Sequence, residues 1–135
     1  MNIDEKDFEK WKLGMIGEGK FRNDLISNRI NFMQIDALYE SEGNWYSVEI
    51  KTQEMFKSPP FDGHGLPRWQ IDARLKLYND KGIIPIFVVY DLKENIRYNQ
   101  SLLFLESKKD YYQTKGKSPR VIYKLSHFKK TIIDN

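Results

Sequence analysis

No cysteine occurs in this 135-residue chain, which excludes disulfides, thiolate nucleophiles and cysteine-bound zinc together. Histidine is almost as scarce, with His64 and His127 the only imidazoles, too few for a multi-histidine zinc centre or for most histidine-dependent nucleases. No apolar run approaches the roughly 20 residues that cross a bilayer as a helix. The acidic start around Asp4, Glu5 and Asp7 lacks the basic and apolar regions of a secretory leader, so a cytoplasmic location is expected. Internal repeats, low-complexity tracts and domain linkers are also missing, and the expectation is a single domain over residues 1–135.

What is present reads as a folded globular protein. Hydrophobic residues make up 40% and charged residues 30% of the chain, and the length suffices for a real core. The net charge of +3 and a pI near 9.0 are compatible with a polyanionic partner, although arrangement matters more than the sum. Basic residues gather from about residue 107 onward, where Lys108, Lys109, Lys115, Lys117, Arg120, Lys124, Lys129 and Lys130 alternate with Tyr111, Tyr112, Tyr123 and Phe128. Such a mixture suits phosphate contact and base stacking, and equally a solvated face. Its first part, 107–118, is expected to be flexible until it meets a ligand.

The chemistry concentrates at Asp36, Glu49 and Lys51. Side chains two apart on a strand share a face, so in Val48-Glu49-Ile50-Lys51-Thr52 the acid and the lysine point one way. Val48 and Ile50 point the other, where they are expected to pack into the core. Upstream, 31–39 also reads as a strand, and Ser41-Glu42-Gly43-Asn44 carries the turn chemistry to fold it back antiparallel. A turn centred on Glu42 and Gly43 brings Asp36 opposite Glu49; a slip of one residue would put Asp36 on the wrong side. Two carboxylates suit a hard cation such as magnesium, with the Ile50 carbonyl as a third oxygen donor. Lys51 beside them is suited to orienting or deprotonating water and to neutralising charge on a phosphate.

An acidic residue, a hairpin and Glu-x-Lys resemble the PD-(D/E)XK nuclease superfamily, which includes restriction endonucleases and Holliday-junction resolvases. Asp36 matches the first acid of the motif, Glu49 the second and Lys51 the lysine, while Ile35 stands where the motif often has proline. The resemblance spans about Glu18 to Asp91. It implies a restriction-endonuclease-like α/β fold, a mixed sheet flanked by helices, and a Mg2+- or Mn2+-dependent nuclease acting on DNA, with a homodimer as the default. It also implies a further acid on the preceding helix, best matched by Glu18 and less well by Asp24, and a glutamine on the helix after the lysine strand, matched by Gln70. The alternative is a catalytically inactive module of the same fold that binds nucleic acid or protein.

The remaining elements follow from periodicity. Asp4–Leu13 predicts a short amphipathic helix, with Gly14, Gly17 and Gly19 interrupting it before a second helix over about Lys20–Arg29. Gln53–Pro67, rich in proline and glycine, predicts a loop containing His64 as a turn or surface residue, with assistance at a scissile phosphate as the alternative. Trp69–Lys81 predicts a helix stopped by Gly82, with Asp72 and Arg74 as surface charges. Ile83–Asp91 predicts a strand buried on both faces and parallel to Trp45–Thr52. Leu102–Glu106 and Arg120–Leu125 predict two more strands, and the tryptophans Trp11, Trp45 and Trp69 are expected in or against the core.

Overall fold

The computed structural model describes residues 5–29 and 35–133, with only the backbone of Phe8 and Trp11. The chain divides into two compact units, Met1–Gln34 and Ile35–Asn135. Among its described residues the first carries one helix, α1 (Glu5–Ser27). Two helices separated by glycine were expected. Instead Gly14, Gly17 and Gly19 sit inside continuous helix, where the surrounding Lys, Glu, Leu, Met and Ile residues are favourable enough to outweigh them.

The second unit is α/β. A five-stranded sheet has the order β1-β2-β4-β5-β8, and a three-stranded sheet the order β3-β7-β6. Their ranges are β1 (Ala37–Ser41), β2 (Asn44–Thr52), β3 (Gly63–Pro67), β4 (Ile84–Asp91), β5 (Ile96–Ser101), β6 (Tyr111–Gln113), β7 (Arg120–Lys124) and β8 (Lys129–Ile132). The helices are α2 (Arg68–Lys81) and α3 (Leu102–Lys108). As expected, β4 runs parallel to β2; every other pairing is antiparallel, so the large sheet is mixed.

The β1–β2 hairpin closes as its turn residues dictate. Glu42 and Gly43 both take positive φ, 51° and 83°, the two-residue geometry whose twist matches that of paired strands. Ser41 then pairs with Asn44 and Ala37 with Val48. Residues 31–34, expected as the start of this strand, lie outside the described residues.

The core lies on the opposite side of β2 from the one anticipated. Phe87, Val89 and Tyr98 of the large sheet meet Leu66, Val121 and Tyr123 of the small one, with Ile71 of α2 and Leu102 and Leu105 of α3. In the β2–β4 register Glu49 is level with Phe87 and Lys51 with Val89, so the Glu-x-Lys face is the core face. The other face holds Val48, which is buried, and Ile50, which is 42% exposed. Accordingly β4 alternates between fully and half-buried positions rather than being sealed on both sides.

Three further expectations are corrected. Leu102–Glu106 is helical, because the Ser101 hydroxyl accepts the Leu103 N–H at 3.1 Å and starts a helix that ends at left-handed Lys109. The stretch before Pro67 is not all loop, since β3 forms there and pairs with β7. Part of the segment expected to be flexible, Tyr111–Gln113, is paired strand. The helix after Pro67 is as expected: α2 stops at Gly82, whose φ of 73° lets its N–H reach the Tyr78 carbonyl at 2.7 Å. Trp45 and Trp69, expected in the core, are 46% and 60% exposed.

Candidate functional site

Glu49 and Lys51 share the core face of β2, and Asp36 reaches the β1-side edge of the same strand. The Lys51 ammonium stands 3.2 Å from Glu49 Oε1. Asp36 lies just beyond the last β1–β2 pair, Ala37 with Val48, and its Oδ2 accepts the Ile50 N–H at 2.9 Å. A side-chain oxygen thus takes the rung that a longer β1 would have supplied. Alternation places the Ile50 carbonyl on the same strand edge as that N–H.

Glu49 is the electrostatic centre. It is 6% exposed, and burial raises its pKa above the ordinary carboxylate value; Arg74 and Lys51 pull it down, and Asp36 pushes it up again. Two cations therefore fail to cancel the cost of desolvation plus a neighbouring acid. A carboxylate in that position gains from further positive charge.

Arg74 was expected on the surface, yet it is 2% exposed and ion-paired with Glu49 Oε2. Its Nη1 also donates to the Gln70 carbonyl at 3.1 Å, one turn earlier on α2. Gln70 lies in the first turn of α2, and its side-chain Oε1 is a buried acceptor with no partner among the described residues. Ser47, two positions before Glu49 on the same face, is fully buried with its hydroxyl also unpartnered among the described residues. Glu18 lies exposed on α1, in the first unit; Asp24, the weaker alternative, is exposed on the same helix. Among the described residues of the second unit no three His, Asp or Glu side chains converge on one point, and the oxygen donors at this edge of β2 are the carboxylate pair and the Ile50 carbonyl.

His64, expected as a turn or surface residue, is fully buried. Its Nδ1 lies 2.9 Å from Gln53 Oε1 and its Nε2 lies 3.4 Å from Asp91 Oδ2. Burial lowers its pKa, with the Asp91 carboxylate opposing. Neither Arg74 nor His64 could be recognised from the sequence, since an arginine amid polar helix residues and a histidine between glycines both look solvated. The only available hint for His64 was the Gly63-His64-Gly65 spacing, which permits close strand approach. The second histidine, His127, pairs with Asp110 at 2.8 Å near the surface. A cleft of about 540 Å³ opens where β2 and β4 end, lined by Thr52, Gln53, Glu54, Leu92 and Lys93.

No helix among the described residues is long and apolar enough to cross a membrane. No protein-family model matches the chain, and no curated protein matches it. Among solved structures the chain is similar to D212, a nuclease from a fusselovirus, with 17% identity and a TM-score of 0.45 over 68% of this chain, and it spans 56% of that nuclease.

Proposed function

We propose that this chain is a divalent-metal-dependent nuclease that hydrolyses phosphodiester bonds in DNA. The observation that carries the proposal is the convergence of Asp36, Glu49 and Lys51 on one strand edge, with Glu49 desolvated enough that its pKa stays raised despite two neighbouring cations. The donors fit a hard cation: Asp36, Glu49, the Ile50 carbonyl and the orphaned Gln70 Oε1 are all oxygens.

Bound Mg2+ or Mn2+ supplies Lewis-acid activation of the phosphate and acidifies a ligated water. The protein residues do the rest. Asp36 and Glu49 hold negative charge where the cation is needed, and the Ile50 N–H keeps the Asp36 carboxylate in place. Lys51 orients or deprotonates the attacking water and offsets charge developing on the phosphorane oxygens. Gln70 positions a ligand or water through its free oxygen. DNA as the substrate follows from the resemblance to PD-(D/E)XK enzymes.

Plasmid and linear DNA incubated with manganese test this directly. Cleavage by the wild type, with a loss of at least about 100-fold in Lys51→Ala and Asp36→Asn while both stay folded, is the expected result. Undiminished cleavage in both variants removes the metal-site assignment. One observation favours a second reading, since Glu49 already has Arg74 and Lys51 as counterions. A metal-free module that only binds nucleic acid would retain DNA without cutting it under the same conditions.

A further inference from the structure

The strand rungs on the core face of β2 and β4 continue one step past Lys51. Lys51 is level with Val89 and Thr52 with Tyr90, and the Gln53 N–H still donates to the Tyr90 carbonyl at 3.2 Å. The next rung therefore sets Gln53 beside Asp91. His64 reaches over from β3 and touches both.

The proton positions in this chain are fixed by the backbone. Gln53 Oε1 accepts the Gly65 N–H at 3.2 Å, and its Nε2 faces the Gly65 carbonyl at 3.4 Å, so the amide has one orientation. That oxygen can only accept, so His64 Nδ1 carries the proton. A neutral ring then turns the Nε2 lone pair toward Asp91 Oδ2, and both atoms are buried without a hydrogen-bond partner among the described residues. The other Asp91 oxygen is engaged, accepting the Lys93 and Glu94 N–H groups at 3.1 and 3.0 Å. Tyr98 packs tilted against the ring and Phe128 meets it edge-on, and Tyr123 of β7 stands opposite it in register. Asp91, Tyr98 and Tyr123 are thus the titratable groups against it.

We infer that His64 is a positioning residue: its Nδ1–H clamps Gln53, on the rung beyond Lys51, and so sets where the Lys51 ammonium stands relative to Glu49. The inference rests on the proposed nuclease reading for its catalytic consequence, but its structural core can be measured without cleavage. A residue needed only to fill the core would be replaceable by an aromatic ring of similar shape. A clamp is not, because phenylalanine keeps the packing on Tyr98 and Phe128 and loses the Gln53 contact.

The test compares the wild type with His64→Phe, Gln53→Met and Asp91→Asn. In the first two, labelling of Lys51 by an amine-reactive reagent, followed by peptide mass spectrometry with exposed Lys76 as internal reference, is expected to change several-fold. Manganese-dependent plasmid cleavage should fall at least tenfold in kcat, with KM unchanged and a displaced pH–rate profile. Asp91→Asn keeps an oxygen for the Lys93 and Glu94 N–H groups and gives Nε2 a donor. It is expected to raise the melting temperature and keep wild-type labelling and kcat.

Gln53→Met guards against a His64→Phe chain that fails to fold. Unchanged Lys51 labelling in a folded variant lacking the Gln53 contact overturns the clamp whether or not the wild type cuts DNA. Loss of activity in Asp91→Asn equal to that in His64→Phe overturns it too, since charge rather than geometry would then be responsible. Altered labelling without wild-type cleavage supports the clamp and refutes the nuclease reading instead.

Discussion

Replacing Arg74 with alanine leaves the Glu49 carboxylate with Lys51 as its remaining cation, where burial already raises its pKa. Removing one partner of a buried ion pair typically costs about 3–5 kcal/mol, and urea denaturation at neutral pH should show a loss in that range. The sign with pH is fixed. A carboxyl whose folded-state pKa is raised contributes stability that is fully present below its unfolded value and lost as pH rises through the folded one. The Arg74→Ala penalty should therefore shrink when the measurement is repeated at about pH 4, where a protonated Glu49 needs no counterion. An equal loss at both pH values would mean that Arg74 matters for packing and not for charge. At this scale the sequence showed residue types and spacing but not burial: Asp36, Glu49 and Lys51 are recognisable because strand alternation and a turn dipeptide fix their directions. Arg74 and His64 acquire their partners only when α2 and β3 fold over β2, from 25 and 11 residues away along the chain.

Glycine shows how an element decides the effect of one substitution. A Cβ on Gly65 would run into the Val121 carbonyl and the Ile122 side chain, because β3 and β7 approach closely at that rung. Gly65→Ala should lower stability by about 1–3 kcal/mol, the usual range for overpacking, seen as a lower thermal midpoint. Gly14 within α1 has nothing within 4 Å of an added Cβ. Gly14→Ala should raise helicity and stabilise α1 by about 0.5–1 kcal/mol, readable by circular dichroism. The same residues explain which elements the sequence disclosed. The hairpin at Glu42–Gly43 and the stop at Gly82 were visible because positive φ demands particular residues. The α1 glycines were misleading because propensity is a weak, additive preference. Leu102–Glu106 was misread because a short apolar run has no period long enough to separate strand from helix, and its cap, Ser101, lies inside the preceding strand.

For the molecule as a whole, a divalent cation at Glu49 should stabilise the folded state more as pH rises. Ionisation of Glu49 in the fold is costly without the cation and compensated with it, so the manganese-induced rise in melting temperature should be small below the ordinary carboxylate pKa and grow above it. At a hundredfold excess over Kd the gain is about 2.7 kcal/mol. Differential scanning fluorimetry from acid to neutral pH checks this, and Asp36→Asn should weaken the effect. A shift independent of pH would place the ion elsewhere. The mixed sheet was foreseeable from the strand–helix–strand spacing between β2 and β4, since parallel pairing requires a crossover. The smaller sheet was not, because its strands are three to five residues long and pair across distant stretches of chain.

The large sheet ends at β8, whose four residues are all exposed and include Lys129 and Lys130. An open sheet margin is a template onto which another molecule can zip, and lysine there discourages it. These two ammonium groups therefore oppose such pairing. Neutralising them should seed filaments or precipitate, so any weakened nucleic-acid retention in such a variant needs light scattering beside it before being credited to a lost phosphate contact.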